Sequence, residues 1–241
     1  MPKNQKYWEF KNKTDDEADL YLYIEIASWG GGGYAHSAQS FKRELDALGE
    51  IKTLNIYINS PGGDVFEGSA IYNMLKRKAK NCALNIYIDG LAASIASVIA
   101  MAGKVIMPSN AMMMIHNAWC YTAGNSKDLR DTANSLDKID ISIRQTYLNK
   151  SGDKLDDETV SDLMDKETWL TAQECLDYGL CDEIIAEKQV AAKFDNSIFK
   201  NYKNVPNTFK VEDIDEPDPT PDPKNTIEAE KAKLLMELEL I

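Results

Sequence analysis

Ser94 lies in Gly90-Leu91-Ala92-Ala93-Ser94-Ile95-Ala96-Ser97, a run of small and aliphatic residues that follows an apolar stretch. The pattern reads as a serine that opens a helix directly after a strand. A hydroxyl there stands beside unpaired backbone N–H groups and the positive end of the helix dipole. Both favour the negative charge that develops in acyl transfer. The same residues also suit plain capping and close packing, since serines and small residues are common at helix starts.

A serine hydroxyl is a poor nucleophile until a base takes its proton, and histidine is the usual base because it titrates near neutrality. The chain has two, His36 and His116. His36 follows the glycine-rich run Trp29-Gly30-Gly31-Gly32-Gly33-Tyr34 with no framing apolar element. His116 ends Ala111-Met112-Met113-Met114-Ile115, where a buried strand meets a loop, and is the better base; the plain alternative is a hydrogen-bonded core histidine. In Asn59-Ser60-Pro61-Gly62-Gly63, after another apolar strand, glycine torsions let backbone amides face outward as an oxyanion hole requires, and equally make an ordinary turn.

The elements that must position these groups alternate. Strands are predicted over residues 20–26, 53–58, 83–88, 104–107 and 111–116, and Phe41, Leu45 and Leu48 recur at helical spacing after the first of them. Asp64 caps a helix carrying Val65, Ile71, Met74 and Leu75, and residues 91–102 read as a buried, nearly all-apolar helix. A longer helix begins near Ser126, carries Leu129, Leu136, Ile139, Ile143 and Tyr147, and ends at Ser151-Gly152, facing the core or a neighbouring subunit. After a helix over residues 159–166, Glu167-Thr168-Trp169-Leu170 is extended, and Thr171 and Glu174 form a capping box for a last short helix stopped by Gly179. Strands alternating with helices imply an α/β class with largely parallel pairing.

Length and composition bound the rest. The 241 residues, 44% of them hydrophobic, suffice for one substantial core plus an appendage. A net charge of -12 gives no general attraction for nucleic acid or anionic membranes, and no apolar run approaches the roughly 20 residues of a membrane span. The opening residues have no signal-peptide character, so the expectation is a cytoplasmic protein. Cys82, Cys120, Cys175 and Cys181 have neither zinc-site spacing nor disulfide density, and reduced thiols are expected. Four of the eight prolines and six acidic residues fall between Glu212 and Pro223, a composition that builds no core. Residues 225–241 read as a terminal helix or a solvated tail.

In this order and at roughly these distances, Asn59-Ser60-Pro61-Gly62-Gly63, Gly90-Leu91-Ala92-Ala93-Ser94, Met114-Ile115-His116 and Leu176-Asp177-Tyr178-Gly179-Leu180-Cys181-Asp182 resemble the Clp peptidase family of serine proteases, from about residue 20 to 185. The resemblance implies an α/β fold of the Clp and crotonase type, a spiral of strand, strand and helix units. The expected divisions are an N-terminal segment (1–19), the protease domain (20–195) and, from composition alone, an acidic Pro-rich, disordered linker (196–224) and a C-terminal helix (225–241), a tail that the resemblance leaves unexplained. The resemblance implies Ser94 as nucleophile, His116 as general base and the amides of Gly63 and Ile95 as oxyanion hole, with no metal or nucleotide. The family's usual acid is an aspartate before an aromatic residue, and the matching position here is Glu167 in Lys166-Glu167-Thr168-Trp169. Glutamate serves in some esterase triads, but its extra methylene sets the backbone further back, and Asp165 is the rival.

The opening Tyr7-Trp8-Glu9-Phe10-Lys11-Asn12-Lys13, which is unlike the axial-loop segment of housekeeping Clp peptidases, points to one branch. Together with residues 29–33, Asp64-Val65-Phe66-Glu67-Gly68 and Glu167-Thr168-Trp169-Leu170, it is similar to the Clp-related head maturation proteases of tailed phages. That likeness implies an ATP-independent endopeptidase, a heptameric ring or double ring, processing capsid or scaffold proteins in a bacterial host's cytoplasm or inside the prohead. The alternative is the proteolytic subunit of an ATP-dependent Clp protease. A crotonase-like acyl-CoA enzyme or a noncatalytic assembly factor would share the fold without using Ser94 and His116.

Overall fold

Strand register decides where everything else goes. In a computed structural model that describes residues 7–26, 37–187 and 202–206, strands β2 (Glu17–Tyr23), β3 (Thr53–Ser60) and β4 (Ala83–Ala93) run parallel, with Leu20, Ile56 and Ile86 in one row and Tyr21, Tyr57 and Tyr87 in the next. Alternate side chains point to opposite faces. The Leu20, Ile56 and Ile86 face is wholly buried, while on the other face the three tyrosine rings stack at 4.9 and 5.1 Å. The helices pack on the apolar face: α1 (Ala38–Ala47), α2 (Val65–Lys78) and α3 (Ile95–Ala100) follow one another across it.

Among the described residues the sheet has eight strands. Its main path is β1 (Trp8–Asn12), β2, β3, β4, β5 (Lys104–Pro108) and β8 (Glu183–Ile185), with β6 (Met112–Ile115) and β7 (Thr168–Thr171) branching from β4. All pairs are parallel except β1 with β2 and β6 with β7. The remaining α-helices among the described residues are α4 (Ser126–Ser151), α5 (Asp157–Asp165) and α6 (Ala172–Asp177). Met1–Val205 group as one unit, which holds all of these strands and helices, and Pro206–Ile241 group as another. The chain is thus a mixed α/β protein, as the alternation of patterns predicts.

Several boundaries differ from the sequence expectation. The helix expected over 91–102 spans only Ile95–Ala100, because Leu91, Ala92 and Ala93 continue β4 and pair with β6. Periodicity cannot separate a short apolar strand from a buried helix. The edge strands β1 and β8 go beyond that expectation. β1 is held by Trp8, buried against Phe41 at 5.7 Å between ring centroids, with its indole N–H donating to Glu44 at 3.0 Å. The strand expected over 20–26 begins at Glu17 and ends at Tyr23, where Ile24 turns to a φ of 75°.

All four cysteines are free. No helix among the described residues is long and apolar enough to cross a membrane. The glycine-rich run 29–34, His36, most of the acidic linker and the helix expected over 225–241 lie outside the described residues.

Candidate active site

One branch of the sheet assembles the site from three chain segments. In the parallel β4 and β6 pair Ala93 lies opposite Met114, and the Ser94 N–H donates to the Met114 carbonyl at 2.9 Å. The residues just beyond the two strand ends are therefore neighbours. The Ser94 Oγ and His116 Nε2 are 2.8 Å apart. In the antiparallel β6 and β7 pair Ile115 lies opposite Thr168, which sets Glu167 across from His116.

Ser94 joins strand to helix with φ 54° and ψ -130°, a region that non-glycine residues rarely adopt and that costs about 1–3 kcal/mol. That turn exposes the side chain at the end of the strand while Ile95 begins α3. As the first residue of the helix, Ile95 has an N–H without an intrahelical acceptor. Ser97 lies one turn further on but is wholly buried. Its hydroxyl bonds the Ser94 carbonyl at 2.5 Å and the Tyr147 hydroxyl at 2.7 Å, so it braces the turn from within the core.

The Ser60-Pro61-Gly62-Gly63 turn stands beside Ser94. Ser60 pins it, donating to the Ile24 carbonyl at 2.6 Å and accepting from the Gly62 N–H at 3.2 Å. Ile26 then pairs with the turn in parallel fashion, its N–H on the Gly62 carbonyl and its carbonyl on the Asp64 N–H. In that pattern the intervening residue directs its own N–H away from the ladder, which leaves the Gly63 amide outside it. Both glycines are required. A Cβ at Gly62, φ +96°, would stand 2.5 Å from the Ser94 Cβ, and one at Gly63, φ +142°, would overlap the Ile26 carbonyl.

His116 is half-buried, and desolvation lowers its pKa from the ordinary 6.5, with the Glu167 charge opposing part of that effect. That direction favours the neutral imidazole over the imidazolium. With its proton on Nδ1, Nε2 accepts from the Ser94 hydroxyl, the arrangement a general base needs.

The two candidate acids differ in surroundings. Glu167 is buried, has a φ of 49°, and accepts the Asn204 N–H on Oε1 at 2.7 Å. Among the described residues no hydrogen bond or ion pair joins it to His116, although its charge acts on the ring. Asp165 is exposed and accepts from the Asn117 side-chain amide at 2.7 Å. The fold thus brings Ser94, His116 and the glycine turn together, keeps Glu167 adjacent, and places Asp165 at the rim.

Tyr202 and Asn204 complete the surroundings, and no motif in the sequence points to them. The only signal is Tyr202 and Val205 standing as apolar side chains in a mainly polar stretch. The Tyr202 ring meets His116 edge-on at 5.4 Å and its hydroxyl donates to the Pro61 carbonyl. Burial raises the phenol's pKa, with the adjoining Ser94 hydroxyl offsetting a little of the rise. Among the described residues no group of three metal-ligating side chains gathers.

The profile of the Clp protease family matches residues 33–188. A curated ATP-dependent Clp protease proteolytic subunit of Bacteroides fragilis is 32% identical over 158 residues, covering 64% of this chain and 74% of the relative. One of the same name from Ligilactobacillus salivarius is 36% identical over 148 residues, or 60% and 73% of the two chains. A third, from Streptococcus salivarius, is 34% identical over 151 residues, or 61% and 75%.

Proposed function

We propose that this chain, which belongs to the Clp protease family of serine peptidases, hydrolyses peptide bonds with Ser94 as nucleophile. The observation that carries the assignment is the 2.8 Å contact between the Ser94 Oγ and the His116 Nε2. His116 takes the hydroxyl proton as Ser94 attacks the scissile carbonyl, and returns it to the leaving amine. The N–H groups of Gly63 and Ile95 receive the oxyanion. Glu167 supplies negative charge beside the imidazolium that forms. Every step is carried by protein groups, without metal or nucleotide at the bond being cut.

Two finer readings differ in what delivers the substrate. The relatives' names favour the proteolytic subunit of an ATP-dependent protease, which needs an ATP-driven partner to deliver substrate. The second reading is an ATP-independent head maturation protease acting on capsid or scaffold proteins. It is favoured by the opening residues, of which Trp8–Asn12 pair as an edge strand anchored by the buried Trp8. Incubating the chain and its Ser94→Ala variant with a folded substrate plus a Clp-type ATPase and ATP, and separately with capsid and scaffold proteins alone, separates them. Fragments that depend on ATP support the first reading, and defined fragments without ATP support the second. Identical fragments from the Ser94→Ala variant would remove both.

A further inference from the structure

The described part of the chain does not end at the last strand of the sheet. Residues 202–205 return to the site, where Tyr202 and Asn204 contact Pro61, His116, Lys166, Glu167 and Trp169. The Tyr202 ring lies edge-on to both His116, at 5.4 Å, and Trp169, at 6.0 Å between centroids. Its hydroxyl donates to the carbonyl of Pro61, in the turn that carries Gly62 and Gly63, and lies against the Ser94 hydroxyl. The phenol therefore spans the gap between nucleophile and glycine turn, where a substrate carbonyl has to enter. Two residues on, the Asn204 N–H takes the Glu167 carboxylate at 2.7 Å, and the Asn204 side-chain amide donates to the Lys166 carbonyl at 2.6 Å. Val205 is buried and anchors the end of the segment.

We propose that Tyr202 and Asn204 form a tethered inhibitor, an intramolecular strap that closes the Ser94 site until it is displaced. The proposal rests on Ser94 being the nucleophile. It differs from self-cleavage in a specific way. What stands before Ser94 is a phenol, which offers no carbonyl to attack, and among the described hydrogen bonds none brings a carbonyl of residues 202–205 to the amides of Gly63 or Ile95. The strap acts at two points: Tyr202 excludes substrate, and Asn204 occupies the carboxylate that would otherwise face the imidazole. Tethering makes weak contacts sufficient, since a linked segment is present at an effective concentration of about millimolar. A segment seated nine times in ten leaves a tenth of the sites open and slows capture about tenfold.

The test is the rate at which a fluorophosphonate labels Ser94 in the full-length chain and in full-length Tyr202→Ala and Asn204→Pro variants. The first substitution removes the phenol, and the second removes the N–H held by Glu167. Folding of each variant is checked by circular dichroism, and Tyr202→Phe, which keeps the ring, serves as the milder change. The strap requires labelling about tenfold faster in Tyr202→Ala, faster also in Asn204→Pro, and an intermediate rate in Tyr202→Phe. It also requires that the peptide Tyr-Lys-Asn-Val-Pro at millimolar concentration slow the Tyr202→Ala variant again, while its scrambled form does not. Equal or slower labelling in the variants overturns the strap and leaves the nucleophile in place. Absence of any Ser94 adduct in every folded protein overturns the nucleophile, and the strap falls with it.

Discussion

The Ser94 hydroxyl and the His116 imidazole, 22 residues apart in the chain, meet at 2.8 Å because β4 and β6 pair in parallel with Ala93 opposite Met114. The geometry of this pair is a property of strand register. A slip of one residue would turn each side chain to the other face and part the two groups.

Replacing Ser94 by alanine is expected to lower peptide turnover on the order of a millionfold, the loss typical of a triad nucleophile, with little change in melting temperature. Ser97→Ala is expected to do the reverse. It leaves the Tyr147 hydroxyl without its 2.7 Å partner in the core, a loss of about 1–3 kcal/mol, while Ser94 still labels. Peptide hydrolysis and thermal denaturation of the two variants check this pair, and activity persisting in Ser94→Ala would move the nucleophile.

Glu167→Gln is expected to slow turnover at least on the order of a hundredfold, since the neutral amide supplies no charge to the imidazolium. Asp165→Asn should cost only a few fold, because that side chain is exposed and bonded to Asn117 at the rim. Steady-state kinetics of the two variants decide the acid, and the opposite order would assign it to Asp165.

Gly63→Ala is expected to abolish labelling of Ser94 in a chain that still folds its sheet. The added Cβ would overlap the Ile26 carbonyl at a φ of +142°, so the turn must move and withdraw its amide. Gly49→Ala is a suitable control. That glycine also has a positive φ, +65°, but no atom lies within 4 Å of the point its Cβ would occupy, and only the torsional cost of roughly 1 kcal/mol applies. Equal labelling of both variants would exclude the Gly63 amide from the oxyanion hole.

The acid limb of kcat/KM is expected below the ordinary histidine value of 6.5, because burial lowers the His116 pKa and so extends the neutral, basic form to lower pH. The Glu167 charge opposes that shift, so Glu167→Gln should move the limb further down. The matching contribution to stability follows the depressed pKa. It is present above about 6.5 and lost as pH falls toward the folded-state value, since the unfolded chain then takes up the proton more readily. A pH profile with its limb above 6.5, or one unmoved by Glu167→Gln, would contradict this reading of the site.

Much of the fold was legible in period-two and helical patterns. The strands expected over 53–58, 83–88 and 104–107, and the helices expected after Asp64 and from near Ser126, carry strong local signals. The boundary at Ser94 was not, because Leu91-Ala92-Ala93 is equally apolar as strand or helix, and only pairing with β6 decides it. The site's motifs were readable one by one, but nothing local in Lys166-Glu167-Thr168-Trp169 reveals that Glu167 stands opposite His116. That follows from Ile115 pairing with Thr168. The contacts of Tyr202 and Asn204 lie further still from local pattern, since they depend on a distant segment returning over Pro61 and Glu167.

The most direct test is mass mapping after prolonged incubation of the full-length wild-type chain with a fluorophosphonate. The expected result is one adduct, on the peptide containing Ser94, whose rate of formation collapses in His116→Ala. An adduct confined to another residue, or none at all on protein shown to be folded, would contradict the assignment of Ser94 and His116 as nucleophile and base.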